Sequence, residues 1–241
     1  MDRHTIFISD LHLSDTTIKT TNLFLKFMEE TALNADALYI LGDLFRFWIG
    51  DDNCSIFNQK IKTALKQASS KIPIYLMPGN RDFLLEKTFA KETGCSLIPD
   101  PYAIDLYGRK TVLTHGDLLC SKDISYGIFR NIIRFPYGIK IFLKLPLAIR
   151  LWFANNTQKY SAKTKIKKSK DILAAQPKPS KNLLNKFNAS QIIHGHTHIA
   201  EVEELVLDNK LSQRISLGEW NEQGSVLIYH DNHNFEFKAL S

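Results

Sequence analysis

The sequence predicts an α/β body of two stacked sheets flanked by helices, interrupted by an inserted, basic, apolar helical segment. Three observations predict it. Short apolar runs alternate with helix-length stretches up to about residue 93, the pattern of βαβ units around a largely parallel sheet. From residue 201 onward the apolar runs have the closer spacing of antiparallel hairpins. Residues 123–170 carry eleven lysines and arginines against the single acid Asp123, a net of +10 in a chain whose total is +6, so the remainder is mildly acidic. With 241 residues and 44% hydrophobic composition, one sizeable core plus an excursion is expected. The expected division is a body of residues 1–122 and 171–241 and an insert of residues 123–170.

The elements follow in order. A strand is expected near 5–9, a helix near 22–33, a strand at 37–41, a helix near 56–69, a strand at 73–77 and a helix at 83–93. Strand-like 102–106 and 110–114 are joined at Gly108. After the insert come a helix at 180–187 and a strand at 191–194. The tail reads as strands 201–207, 211–216, 226–230 and 234–238, with Asp208-Asn209 and Asp231-Asn232 as turns.

Each strand of the parallel type ends in a short polar motif. These are Asp10 and His12, then Gly42-Asp43, then Asn80, Arg81 and Asp82, then His115 and Asp117, then His194, His196 and His198. Loops at the carboxyl ends of strands in open α/β sheets share one edge, so these groups are expected to converge. A lone Asp-x-His is more often a cap, turn or surface pair, and a lone Gly-Asp is usually a turn. His194 reads as a packed strand residue. Five such motifs in order, each directly after an apolar strand, carry the inference together. Carboxylate, imidazole and carboxamide donors suit Mn, Fe or Zn, and the absence of cysteine ligands argues against a structural zinc. Two divalent ions about 3.5–4 Å apart lower the pKa of a bridging water and grip the oxygens of a phosphate ester.

The ordered set Asp10-x-His12, Gly42-Asp43, Gly79-Asn80, His115 and Gly195-His196-Thr197-His198 resembles the calcineurin-like metallophosphoesterases, over essentially the whole chain apart from the insert. The resemblance implies a β-sandwich flanked by helices and two divalent metal ions, Mn²⁺ foremost. Asp10, His12 and His198 would hold one ion, Asn80, His115 and His196 the other, and Asp43 would bridge both. Asp43, Asn80, Arg81 and His115 would be the catalytic residues. Many members of the family read Gly-Asn-His where this chain has Gly79-Asn80-Arg81. Arginine stays protonated, so Arg81 is a poor general acid and a good bidentate clamp for phosphate oxygens. Such a site favours a leaving group that is already a good anion, such as a sugar phosphate expelled from a pyrophosphate.

The stretches "FISDLHL", "GDLFRFWIG" and "GNRDFL" narrow the resemblance to one branch of the family. That branch hydrolyses the pyrophosphate bond of UDP-2,3-diacylglucosamine to UMP and 2,3-diacylglucosamine 1-phosphate in lipid A biosynthesis. Positions matching Asn80, Arg81, Asp123, Ser161, Lys165, Lys168 and His196 touch substrate there. Ser161, Lys165 and Lys168 recur at helical spacings of four and three and share a face, whereas Lys163 and Lys167 read as solvated.

Within the insert, residues 124–153 are rich in Ile, Leu and Phe and contain Trp152, but Arg130, Arg134, Lys140, Lys144, Arg150, Pro136 and Pro146 interrupt them. No uncharged run approaches the ~18 residues of a bilayer span. Helices lying on an anionic membrane surface fit the pattern, as does a cap whose apolar face packs on the body. The expected partners are the UDP-activated diacyl sugar and an anionic lipid surface, with no nucleic acid and no obligate protein partner. The expected location is the cytoplasmic face of the inner membrane. The three cysteines form an odd set without metal-finger spacing, and the N-terminus lacks a secretory pattern, which suits a reducing compartment. Two other readings remain open. The basic segment could be an electrostatic groove for a soluble dinucleotide or nucleic acid, although such channels place aromatic platforms among their cations. A scaffold keeping the fold without metals is the other.

Overall fold

Uninterrupted apolar strands such as Thr5–Ile8 make sense only if both faces of the sheet are covered. The computed structural model describes residues 3–122, 127, 130, 134–166, 174–207 and 210–241, apart from the side chains of 136 and 158–166. In it β1 (His4–Ile8), β2 (Ala37–Leu41) and β3 (Ile74–Met77) run parallel, with α1 (Ile18–Glu30) and α2 (Ile56–Ser69) as crossovers. The helix α3 (Lys87–Thr93) leads to the two-residue β4 (Ser96–Leu97) at the sheet edge. On the other side of β1 lie β10 (Gly224–His230) and β11 (Phe235–Leu240), both in antiparallel pairings, giving six strands in the order β11-β10-β1-β2-β3-β4.

The second sheet contains β5 (Tyr102–Leu106), β6 (Arg109–Thr114), β7 (Gln191–His194), β8 (Glu201–Leu207) and β9 (Lys210–Ser216), in the order β5-β6-β7-β9-β8. Alternation along each strand sorts side chains into two cores. Ile6 and Ile8, with Leu38 and Ile40, face the helices and join Phe24, Phe27, Ile61 and Leu65. Phe7, Tyr39, Leu41, Met77, Leu113, Ile193 and Leu227 fill the space between the sheets. The outer face of the second sheet is covered by α6 (Pro177–Phe187), whose Leu184 packs with Val112 and Ile192.

Most element limits fall within a few residues of expectation, and three differences have local causes. The helix α1 begins at Ile18 rather than 22, behind a Ser14–Thr17 turn in which the Ser14 amide donates to Thr17 Oγ1 at 2.9 Å. The helix α3 begins at Lys87 rather than 83, because Asp51 from a distant loop accepts the amides of Glu86 and Phe89 at 3.3 and 2.8 Å and so caps the helix there. The strand β9 is antiparallel to β8 as expected, but it also runs parallel to β7, which the tail's hairpin spacing did not reveal.

In the insert, α4 (Pro136–Leu143) and α5 (Leu147–Ile166) are joined by a short link, with Ile139, Phe142 and Leu143 packed on the helix-side core. Arg150 is the fastening. Its guanidinium is buried, donates to the Ile49 carbonyl at 2.6 Å and to the Leu145 carbonyl at 2.9 Å, and forks onto both oxygens of Asp52. Arg150→Ala should lower the unfolding free energy by about 2 kcal/mol, because two carbonyls lose a charged donor. Truncating exposed Lys140 should change it by less than about 0.5 kcal/mol. Urea unfolding of both variants checks the contrast, and equal midpoints would contradict it.

Candidate metal centre

The polar motifs do converge. Asp10, His12, Asp43, His196 and His198 all sit just past strand ends with left-handed backbone, at φ of 55°, 50°, 54°, 69° and 65°. Such angles in residues with a Cβ cost roughly 1 kcal/mol or more each and persist only where the surroundings enforce them. They turn each chain sharply, so that the side chains face one another across the carboxyl edges of the two sheets.

Two glycines permit the close approach. A Cβ on Gly79 would collide with the Asp43 carboxylate and amide, and one on Gly195 would stand 2.6 Å from Asp10 Oδ2. Asp82 holds the neighbouring loops in register. Its buried carboxylate accepts the amides of Gly79 at 2.7 Å, Asp43 at 3.3 Å and Phe45 at 3.2 Å, which ties the loop after β3 to the loop after β2.

Asp10, His12 and His198 offer ligand atoms within 4.8 Å of one another, and so do Asp10, Asp43 and His115. His198 Nε2 lies 3.4 Å from Asp10 Oδ1 and 3.5 Å from His12 Nε2. On the other side, Asn80 Oδ1 is 2.9 Å from His115 Nε2 and 3.0 Å from His196 Nδ1. Asp43 stands between the two groups, with Oδ2 3.8 Å from His12 Nδ1 and Oδ1 3.8 Å from His115 Nε2. Arg81 Nε is 3.9 Å from Asp43 Oδ2, and its guanidinium lies over the Phe47 ring at 5.4 Å.

These donors fit divalent cations. Asp10 Oδ1 and His12 Nδ1 are buried with no partner inside normal hydrogen-bond geometry; His198 Nε2 stands 3.4 Å from the first and Asp43 Oδ2 3.8 Å from the second. Burial pushes His12 and His196 down to about 3, with the charge of His115 a further cause at His196, so both rings are neutral, the form that ligates a metal. Burial opposes ionisation of Asp10, yet the His198 hydrogen bond and the surrounding imidazoles hold its carboxyl far below the usual range. Asp43 is raised by burial and by the Asp82 and Asp10 carboxylates. His115 is raised despite burial, because Asp43, Asp10 and Asp117 draw a proton onto it. That proton marks where the fold wants positive charge. His115 Nδ1 faces the Leu41 carbonyl at 3.0 Å, which leaves Nε2 toward Asn80 and Asp43.

The seven expected ligands and Arg81 therefore lie together. Asp123 and Lys168 lie outside the described residues, as do the side chains of Ser161 and Lys165 and the turn at 208–209. His194 is buried, with Nδ1 2.8 Å from the Gly195 carbonyl, as befits a packed strand residue. Glu219 was not foreseen. It meets His198 Nδ1 at 2.5 Å and so fixes the outer nitrogen of that ring. Its signal lay in the parallel pairing of β9 with β7, which carries the segment after β9 to the same edge. Two basic residues of the insert also reach the site. Arg130 donates to the buried Asp117 at 2.7 Å, and Arg134 donates to the Gly79 carbonyl at 2.9 Å.

Residues 3–200 match the family described as calcineurin-like phosphoesterase. The chain is 42% identical over 228 residues to a UDP-2,3-diacylglucosamine hydrolase of Vibrio cholerae serotype O1, covering 94% of each chain. It is 41% identical over 238 residues to a UDP-2,3-diacylglucosamine hydrolase of Coxiella burnetii, covering 99% of this chain and 98% of that one.

Removing the Asp82 carboxylate tests the registering role assigned to it. Asp82→Ala leaves three buried amides without their acceptor and should cost about 3 kcal/mol of stability. Asp82→Asn retains a single carbonyl acceptor and should cost less. Chemical denaturation of the two variants, read beside metal binding, gives the comparison, and wild-type stability and metal affinity in Asp82→Ala would contradict the assignment.

Proposed function

This chain belongs to the calcineurin-like phosphoesterase family, and from that premise we propose that it hydrolyses the pyrophosphate bond of UDP-2,3-diacylglucosamine, releasing UMP and 2,3-diacylglucosamine 1-phosphate for lipid A biosynthesis. The observation that carries the reading is identity above 40% along nearly the full length of relatives whose name states that substrate. The site geometry is consistent with it, since the acids, imidazoles and carboxamide of a two-ion hydrolase lie at one edge with a guanidinium beside them.

Asp10, His12 and His198 would hold one ion, Asn80, His115 and His196 the other, and Asp43 both. Bound there, two divalent ions supply a water of lowered pKa and neutralise phosphate oxygens. The donor set suits Mn, Fe or Zn, and the family resemblance points to Mn²⁺ among them. The chain's own residues do the rest. The Leu41 carbonyl sets the tautomer of His115, and Arg81, braced on Phe47 and Asp43, receives the non-bridging oxygens of the pyrophosphate. A guanidinium keeps its proton, so the reaction depends on a leaving group that departs as an anion, which a sugar phosphate does.

Residues 123–170 are read as the cap over this site, with Asp123, Ser161, Lys165 and Lys168 as its substrate contacts. Phe135, Tyr137, Ile141, Trp152 and Phe153 of the insert are exposed, close in sequence to Lys140 and Lys144. Such an apolar and cationic face suits a peripheral position on an anionic bilayer, at the cytoplasmic face of the inner membrane where the lipid substrate is met. No helix among the described residues is long and apolar enough to cross a membrane. A nucleic-acid groove is less well supported, because the three arginines of the insert turn inward to Asp117, Gly79 and Asp52.

Purified protein with Mn²⁺ and the UDP-diacyl sugar should release UMP, chelation should stop it, and Asp43→Ala should fall to background while staying folded. Turnover by Asp43→Ala in metal-free buffer would refute the two-ion reading. Arg81→Lys keeps the charge but loses the planar fork, and should cost roughly a hundredfold in kcat/KM. An unchanged rate in Arg81→Ala would remove Arg81 from the phosphate clamp.

A further inference from the structure

The substrate proposed above has two dissimilar ends, a diacylated sugar and a polar nucleoside, and the metal cluster has two dissimilar sides. In the first sheet β2 and β3 lie on one side of β1, while β10 and β11 lie on the other. In the second sheet β6 and β9 likewise flank β7 from opposite sides. The insert reaches the body at Ile49, Gly79 and Asp117, in the loops that follow β2, β3 and β6. The other side is not reached by any of these contacts. There a cleft of about 780 Å³ opens directly off His198, between the segment that follows β9 and the end of β11. Its volume falls within the ~300–1,000 Å³ common for small-molecule sites.

The walls of this cleft differ in kind from the insert. Asn221, Gln223 and Lys238 line it with polar side chains; Asn221 Nδ2 donates to Glu219 Oε1 at 2.9 Å, and Glu222 stands 3.8 Å from Lys19. Phe237 adds a partly exposed ring. A carboxamide presents a donor and an acceptor side by side, which matches the adjacent N3–H and carbonyl oxygen of uracil. An exposed aromatic face stacks with a base. The lining mixes these polar groups with the apolar surface of Ala200, Phe237 and Ala239, a mixture that suits a base and its ribose.

We propose that this cleft is the nucleoside subsite, receiving the uridine of the substrate while the diacylated sugar extends toward the insert. The proposal rests on the UDP-sugar reading and adds the direction in which the substrate lies across the ions. His198 is the junction, with Nε2 toward the cluster and Nδ1 against Glu219 at the cleft wall. Uridine in the cleft would bring the pyrophosphate to the cluster at His198.

The test uses the full chain with Mn²⁺, and two variants away from the ions. Ala239 is exposed on β11 and lines the cleft, so Ala239→Trp fills it from an edge strand that tolerates aromatic residues. Gln223→Ala removes a polar wall group from an exposed position. Each should raise KM for the UDP-diacyl sugar and the inhibition constant of UMP by about tenfold with kcat nearly unchanged. Hydrolysis of a nucleoside-free aryl phosphodiester should match wild type. Wild-type KM and UMP inhibition in both variants, with the wild-type protein active on the UDP sugar, would overturn the subsite and leave the function standing. An inactive wild-type protein on that substrate would overturn both.

Discussion

One buried carboxylate holds the catalytic edge in register. Asp82 accepts three amides from two loops, and those loops carry Asp43 on one side and Asn80 and Arg81 on the other. The Arg81 amide returns the contact by donating to Asp43 Oδ1 at 2.8 Å. Both acids are shielded from water, and burial raises the pKa of each, with the Asp82 charge a further cause at Asp43. The fold tolerates this because backbone amides face Asp82 and imidazoles face Asp43. Cations at the edge would relieve the remaining strain, so the left-handed turns at Asp10, His12, Asp43, His196 and His198 and the acid–acid pairing have one common explanation.

Much of this was legible in the sequence because the chemistry sits where the pattern is strongest. The strands 37–41, 191–194 and 201–207 and the helix 56–69 have the limits that periodicity indicates, and the ligands follow directly on such strands. The family resemblance rested on the same residues, and the match over residues 3–200 agrees with it. What was hidden depended on partners distant in the chain. Lys87 starts a helix because Asp51 caps it, and no local pattern announces a cap brought from another loop. The β8–β9 hairpin concealed that β9 also pairs in parallel with β7, so the segment after it was not counted among the strand ends. Glu219 was missed for that reason. The charge count did not show that Arg130, Arg134 and Arg150 donate to Asp117, to the Gly79 carbonyl and to Asp52 of the body.

The same topology explains how one edge serves a two-ended substrate. Strands on one side of β1 and β7 lead to the loops the insert fastens upon, and strands on the other side frame an open cleft. Exposed large apolar side chains gather on the insert, at Phe135, Tyr137, Ile141, Trp152 and Phe153, whereas the cleft mixes polar and apolar groups, and the proposed orientation of the substrate follows that contrast. Arg81 stands beside Asp43, its Nε 3.9 Å from Oδ2.

The central claim is that five strand-end motifs form one two-ion centre around Asp43. Anomalous diffraction from crystals of the full chain grown with Mn²⁺ tests it most directly. The account predicts two peaks flanking the Asp43 carboxylate, one against Asp10, His12 and His198 and the other against Asn80, His115 and His196. A single peak, or two peaks that Asp43 does not touch, would contradict it.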